Sequence, residues 1–173
     1  MNTHHFASLF LSTLAKYRLM IALHPNTPAC VAAKYQTAKA ALAENGLSFT
    51  EDMVAICTLD KEDTIEAVNK LPAQRPDAFF ITNDFAAAAG IEELHKKGIR
   101  VPEDIAVFGF NNDVPGSLIT PKLSTIDYPG IEVGVIAAKE LMQLMKSKHK
   151  KLVSKTVLVP SEMIVRESSR KKK

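Results

Sequence analysis

The sequence contains few of the residues and motifs from which catalytic and cofactor sites are built. Its 173 residues include seven glycines, and they form no G-x-G-x-x-G, no G-x-x-x-x-G-K-S/T and no G-x-S-x-G. The five histidines show no metal-ligand spacing, because the adjacent His4 and His5 would point in different directions on a helix. We therefore predict no catalytic residue, no metal and no cofactor, and we expect that the protein is not an enzyme.

Cysteine and long apolar runs are also scarce. Cys30 and Cys57 are the two cysteines, too few for a disulfide framework and compatible with a reducing cytoplasm. No apolar run approaches the ~20 residues that a membrane-spanning helix needs. Residues 6–15 are fairly apolar but lack the basic start and the cleavage site of a signal peptide. The helical spacing of Phe6, Phe10 and Leu14 predicts instead an amphipathic helix over 3–16. A cytoplasmic protein without a membrane partner is expected.

Positive charge is unevenly distributed. Residues 146–173 hold ten Lys or Arg against two Glu, within a chain whose net charge is +3. No aromatic residue interleaves these lysines, as a surface that stacks on bases would require. We interpret the basic stretches as a solvated loop and tail, with only weak, salt-sensitive and sequence-independent affinity for DNA.

Short apolar segments alternate with longer helical patterns along most of the chain. This alternation predicts a doubly wound α/β fold with a parallel sheet. Predicted strands lie at 18–23, 53–57, 78–81, 105–110, 123–127, 156–159 and 163–165, and predicted helices lie at 29–44, 61–71, 85–97 and 131–146. The strand at 156–159 and the helix before it lack an obvious sheet partner among the first 127 residues.

Polar side chains follow the predicted strands. Asn83 and Asp84 follow one central strand and are placed to cap the next helix, while Asn111 and Asn112 follow the other. Ligands of open α/β sheets bind beyond the carboxyl ends of the strands. Amides, a hydroxyl at Thr58 and a lysine suit hydrogen bonding to a polyol or an amide better than proton transfer. The remaining candidates at this rim are His24, Asn26, Lys34 and Leu59.

An ordered set of motifs strongly resembles the effector-binding region of LacI/GalR-type transcriptional regulators. The motifs cover nearly the whole chain and lie at residues 81–90, 98–105, 107–112, 121–126 and 159–168. The resemblance implies a periplasmic-binding-protein-like fold of two α/β subdomains joined by three crossovers. It further implies an N-terminally truncated chain. Residues 1–127 would form the C-terminal subdomain, 128–159 a crossover, helix and strand left from the N-terminal subdomain, and 160–173 a return strand and basic tail.

The same resemblance implies roles for individual residues. Asn83 matches an asparagine that contacts sugar hydroxyls, and Asn111 occupies a position where most members carry a ligand-binding aspartate. Lys34 replaces a frequent arginine, and Leu59 lies near a position that is often a stacking aromatic. These three departures, Asn for Asp, Lys for Arg and Leu for an aromatic, leave the ligand unidentified.

The function implied is the binding of a small polar effector, a sugar or sugar derivative, by a LacI-type DNA-binding regulator. DNA would be contacted only through a helix-turn-helix that these residues do not contain. The resemblance also implies a homodimer through Ala88 and Ile119. Two alternatives stay open: a solute-binding protein of a sugar transport system, which shares the fold, and a small doubly wound enzyme, for which no catalytic set is present.

Overall fold

The computed structural model describes residues 19–23, 36, 39–40, 42–44, 46, 50–70, 76–146 and 156–170. Several predictions therefore lie outside the described residues: the helix at 3–16, the first part of the helix at 29–44, and the placement of His24, Asn26 and Lys34. The described residues among 36–44 are helical.

A parallel sheet forms the centre of the fold. Its strands are β1 (Leu19–Leu23), β2 (Val54–Ile56), β3 (Ala78–Ile81) and β4 (Ala106–Phe108), in the order β2-β1-β3-β4. A parallel bridge between Phe108 and Ser124 places the next strand, β5 (Thr125–Asp127), beside β4. The strands follow one another as the alternating pattern predicted, and β3 has the predicted bounds.

Helices connect these strands, and local signals set their ends. They are α1 (Lys61–Asn69), α2 (Asp84–Lys96), α3 (Pro115–Leu118) and α4 (Gly130–Lys146). Asn83 caps α2, because its side-chain Oδ1 accepts the Ala86 N–H at 3.0 Å. Gly98 follows α2 with φ +71°, a left-handed conformation that glycine adopts without steric penalty. The helix predicted at 85–97 is therefore present, with each end one residue earlier than predicted.

The core lies between the sheet and helices α1 and α2. Its largest fully buried side chains include Ile81, Leu94, Ile105 and Leu123. Cys57 is 8% exposed and packs with this cluster, and its burial raises the pKa of the thiol. The prediction that Cys57 is a buried apolar residue is confirmed, while Cys30 lies outside the described residues.

The last part of the chain differs from the prediction in one respect. Strand β6 (Glu162–Ile164) pairs antiparallel with β5, as the return strand expected near 163–165. The prediction of a strand at 156–159 is wrong, because these residues belong to no strand. A strand needs a neighbour to accept and donate its main-chain hydrogen bonds, and the described residues supply none there.

Helix α4 has no buried residue. Ile131 and Met145 are exposed by 88% and 77%, so its apolar face is not covered by the described part of the chain. Within that part, no helix is both long and apolar enough to cross a membrane.

Candidate functional site

The carboxyl ends of β2, β3 and β4 lie at one edge of the sheet, because these strands are all parallel to β1 or to one another. The candidate residues Leu59, Asn83 and Asn111 follow these three strands, so the fold brings them to the same edge. Strand order reverses at β1, where the chain goes to β2 on one side and to β3 on the other. Such a switch point is where open sheets bind ligands.

Asn83 lies at the end of β3 and is half-buried. Its side-chain oxygen is used for the cap of α2, so the amide nitrogen is the group that could donate to a ligand. The structural role and the ligand-binding role are therefore compatible, because they use different atoms of one amide.

Asp84 was expected to cap the helix beside Asn83, and this expectation is wrong. Its side chain is fully buried and extends to the loop after β4 and to β5. Asp84 Oδ2 accepts the Asp113 N–H at 2.8 Å, and Thr125 Oγ1 donates to Asp84 Oδ1 at 2.8 Å. Burial raises the pKa of the Asp84 carboxyl, although bonds from Thr125, Asp113 and the Phe110 main chain act in the opposite direction.

Gly109 leaves room for this buried carboxylate, and Gly116 leaves room chiefly for Leu123. A Cβ at Gly109 would lie 2.0 Å from Asp84 Oδ1 and 2.7 Å from Leu123 Cδ2. A Cβ at Gly116 would lie 3.5 Å from Asp84 Oδ2 and 3.2 Å from Leu123 Cβ. The main chain therefore approaches Asp84 closely, and Gly109 is required by that approach.

The loop after β4 has an unusual backbone conformation. Asn111 and Asn112 have φ values of 113° and 59°, in the region that asparagine tolerates better than most residues. The Asn111 N–H donates to the Ile126 carbonyl at 3.0 Å, and its Nδ2 donates to Asp113 Oδ2 at 3.3 Å. Asn111 is thus fixed at the rim through both its main chain and its side chain.

Asn112 is held from the other end of the chain. Its N–H donates to Thr125 Oγ1 at 3.3 Å, and its Oδ1 accepts from Arg166 Nη2 at 2.8 Å. Arg166 also donates to the Leu123 carbonyl at 2.8 Å. The segment after β6 is therefore tied to the same loop, which the order of residues along the chain did not predict.

Leu59 follows β2 with φ 61°, a conformation that is unfavourable for leucine. It is half-buried and packs against the core cluster. Next to it, Thr58 Oγ1 donates to Asp60 and Asp63 at 2.5 and 2.6 Å. These bonds fix the start of α1 and hold Leu59 at the rim.

Sequence reasoning missed an aromatic pair at this edge. The rings of Phe110 and Tyr128, which follow β4 and β5, have centroids 6.2 Å apart and planes inclined by 32°. Tyr128 is 44% exposed. Tyr128 could have been identified from its position just after a strand, which is the feature that identified Asn83. No cluster of three or more potential metal ligands occurs among the described residues.

Comparison with known proteins identifies the family. The family model for the periplasmic binding protein-like domain matches residues 17–169, nearly the whole chain. The chain belongs to this family.

The curated relatives of this domain are transcription regulators. The chain is 36% identical over 110 residues to the NTD biosynthesis operon regulator NtdR of Bacillus subtilis, covering 62% of this chain and 33% of that protein. It is 33% identical over 131 residues to the repressor PurR of Photobacterium profundum, covering 74% and 38%. The chain thus spans little more than a third of the length of these relatives. The resemblance to LacI-type regulators is confirmed.

Solved structures support the same periplasmic binding protein-like fold. A LacI family regulator from Mycobacterium smegmatis has a TM-score of 0.83 and 22% identity, over 95% of this chain and 62% of that one. The regulator CelR, solved in complex with cellobiose, has a TM-score of 0.82 and 22% identity, over 94% and 49%.

Proposed function

We propose that this chain is the effector-binding part of a LacI-type transcription regulator and that its ligand is a small polar molecule, a sugar or sugar derivative. The convergence of Asn83 and Asn111 at one edge of the sheet carries this proposal. Asn83 directly precedes Asp84 in the chain, and Asp84 bonds to the main chain of Asp113, whose side chain in turn accepts from Asn111. A side-chain amide both donates and accepts, as the hydroxyl groups of a polyol do.

The proposed ligand contacts are Asn83, Asn111, Lys34 and Leu59. Leu59 offers an apolar contact in place of a stacking ring, and the exposed ring of Tyr128 is a further surface for a sugar face. CelR binds cellobiose, which supports a carbohydrate as the first ligand class to examine.

Regulation would follow from a change in the arrangement of two subdomains. We divide the chain as predicted from its sequence, into 1–127, 128–159 and 160–173, with the exposed face of α4 belonging to the second subdomain. An effector that binds one arrangement better than the other shifts the equilibrium between them.

We assign DNA recognition to a helix-turn-helix outside these 173 residues, and we place the protein in the cytoplasm. The relatives favour this reading over a solute-binding protein of transport.

The test is a titration of the chain with mono- and disaccharides, beginning with cellobiose. Binding is monitored through the NMR chemical shifts of the side-chain amide groups of Asn83 and Asn111. Three or four hydrogen bonds worth about 0.5–1.5 kcal/mol each must exceed an association cost of at least ~4 kcal/mol. We therefore expect millimolar binding or weaker by this chain, with shifts confined to the carboxyl edge of the sheet.

Matched variants separate ligand contact from folding. Asn83→Asp keeps an oxygen to cap α2 but removes the amide donor, and it should abolish saturable shifts. Asn69→Asp makes the same change at the far end of α1 and should leave binding unchanged. Equal titrations of these two variants, or no shift at the edge with any sugar of the panel, would contradict the assignment of the site.

We also propose a homodimer that forms through α2 and α3. Ala88 and Ile119 are partly exposed, and Phe85, Val114 and Leu118 around them are exposed by 60%, 69% and 77%. Large apolar side chains that are exposed together are typical of an association surface.

Leu118→Glu is the sharper test of this dimer, because Ile119 also packs against the core cluster and its substitution could disturb folding. Sedimentation should show a dimer for the natural chain and a monomer for Leu118→Glu. Leu141→Glu, on the exposed face of α4, is the matched control and should remain dimeric. A monomeric natural chain, or a dimer unaffected by Leu118→Glu, would rule out this interface.

A further inference from the structure

Asp84 is a buried charged residue that no proposed ligand contact uses. Its side chain is fully buried, and it lies between the end of β3, the loop after β4 and the start of β5. Burying a carboxylate is unfavourable unless hydrogen-bond donors surround it. The identity of those donors therefore indicates what the buried charge does.

Two of the donors are main-chain N–H groups of the loop that carries Asn111. The Asp113 N–H donates to Asp84 Oδ2 at 2.8 Å, and the Phe110 main chain also bonds to this carboxylate. These two groups flank Asn111. A loop that turned differently would leave the carboxylate without them, so the buried charge favours this one conformation of residues 109–113.

Thr125 extends the arrangement to Asn112. Its hydroxyl donates to both Asp84 oxygens, at 2.8 and 3.1 Å, and accepts the Asn112 N–H at 3.3 Å. The loop is therefore bound to Asp84 directly on both sides of Asn111 and indirectly at Asn112. Gly109 completes the arrangement, because any side chain there would overlap the carboxylate.

We propose that Asp84 is a positioning residue whose carboxylate sets the conformation of residues 109–113 and so the direction in which Asn111 presents its amide to a ligand. Asp84 does not itself touch the ligand. The proposal rests on the proposed function for the role of Asn111. It adds that one dipeptide serves both sides of the site: Asn83 contributes an amide, and Asp84 orders the loop that contributes the other.

The test measures hydrogen exchange of the Asn111 main-chain N–H by NMR in the ligand-free chain. This group donates to the Ile126 carbonyl and not to Asp84, so its exchange reports the order of the loop rather than the loss of its own acceptor. In Asp84→Ala we expect exchange at Asn111 to become at least tenfold faster. Val68→Ala, a core substitution on α1 away from the loop, lowers global stability and corrects for general destabilisation.

A second pair of variants covers the case in which Asp84→Ala does not fold. Thr125→Val removes the hydroxyl and should accelerate exchange at Asn111, whereas Thr125→Ser keeps the hydroxyl and should restore protection. The proposal is overturned if Thr125→Val and Thr125→Ser exchange alike, or if Asp84→Ala accelerates Asn111 no more than Val68→Ala does. Because no sugar is present, this outcome is independent of whether the carbohydrate titration succeeds.

Discussion

Gly109→Ala tests how rigidly the buried carboxylate is held. The added methyl group would lie 2.0 Å from Asp84 Oδ1 and 2.7 Å from Leu123 Cδ2, closer than non-bonded atoms approach. The leucine methyl is the end of a flexible side chain and can move. The carboxylate cannot move without losing its bonds to Asp113 and Thr125.

The expected loss of stability follows from these two contributions. Overpacking of a well-filled core costs about 1–3 kcal/mol. A displaced carboxylate loses at least one hydrogen bond to a charged group, about 1.5–3 kcal/mol. We therefore expect Gly109→Ala to lower the free energy of unfolding by about 2.5–6 kcal/mol, a large part of the ~5–15 kcal/mol of a typical domain.

Urea unfolding followed by far-UV circular dichroism measures this loss. The matched control is Gly134→Ala on α4, where a Cβ meets nothing within 4 Å and alanine should stabilise the helix by up to ~1 kcal/mol. In Asp84→Ala the smaller side chain removes the main overlap, so Gly109→Ala should cost less in that background. A loss below about 1 kcal/mol in the natural chain, or equal losses in both backgrounds, would refute the reasoning.

Three further outcomes are expected. Burial raises the pKa of Asp84 in the folded state above the ordinary value of 3.8, which the unfolded state keeps. Between these two pKa values, the folded state binds a proton at Asp84 that the unfolded state does not bind. Urea titrations should therefore show the natural chain gaining stability relative to Asp84→Asn as pH is lowered over that window. Asn83→Ala should lower stability by about 1 kcal/mol through loss of the α2 cap, whereas thermal unfolding of Asn83→Asp should be nearly unchanged. Leu94→Ala should cost about 2–5 kcal/mol in denaturant titrations because Leu94 is fully buried, and Leu141→Ala, at 58% exposure, should stay within ~0.5 kcal/mol.

The local sequence determined most of the elements. Strand β3 was predicted with its observed bounds because a short apolar run of aromatic and β-branched residues fits a strand that is buried on both faces. The ends of α2 were equally readable, since Asn83 and Gly98 act through main-chain groups only a few residues away. Alternation of such segments was enough for a doubly wound α/β fold and for the placement of Asn83 and Asn111 at one edge of its sheet.

Only the tertiary structure decided which polar residues act together. Asp84 and Asn83 looked like equivalent caps, because both carry an oxygen at the start of α2. Asp84 instead bonds to Asp113 and Thr125, 29 and 41 residues away, and Arg166 reaches Asn112 across 54 residues. Such contacts depend on how the strands pair and on where glycine leaves room for a buried carboxylate. Local periodicity contains no information about either, so the contacts of Asp84 and Arg166 at this edge of the sheet became visible only in the folded chain.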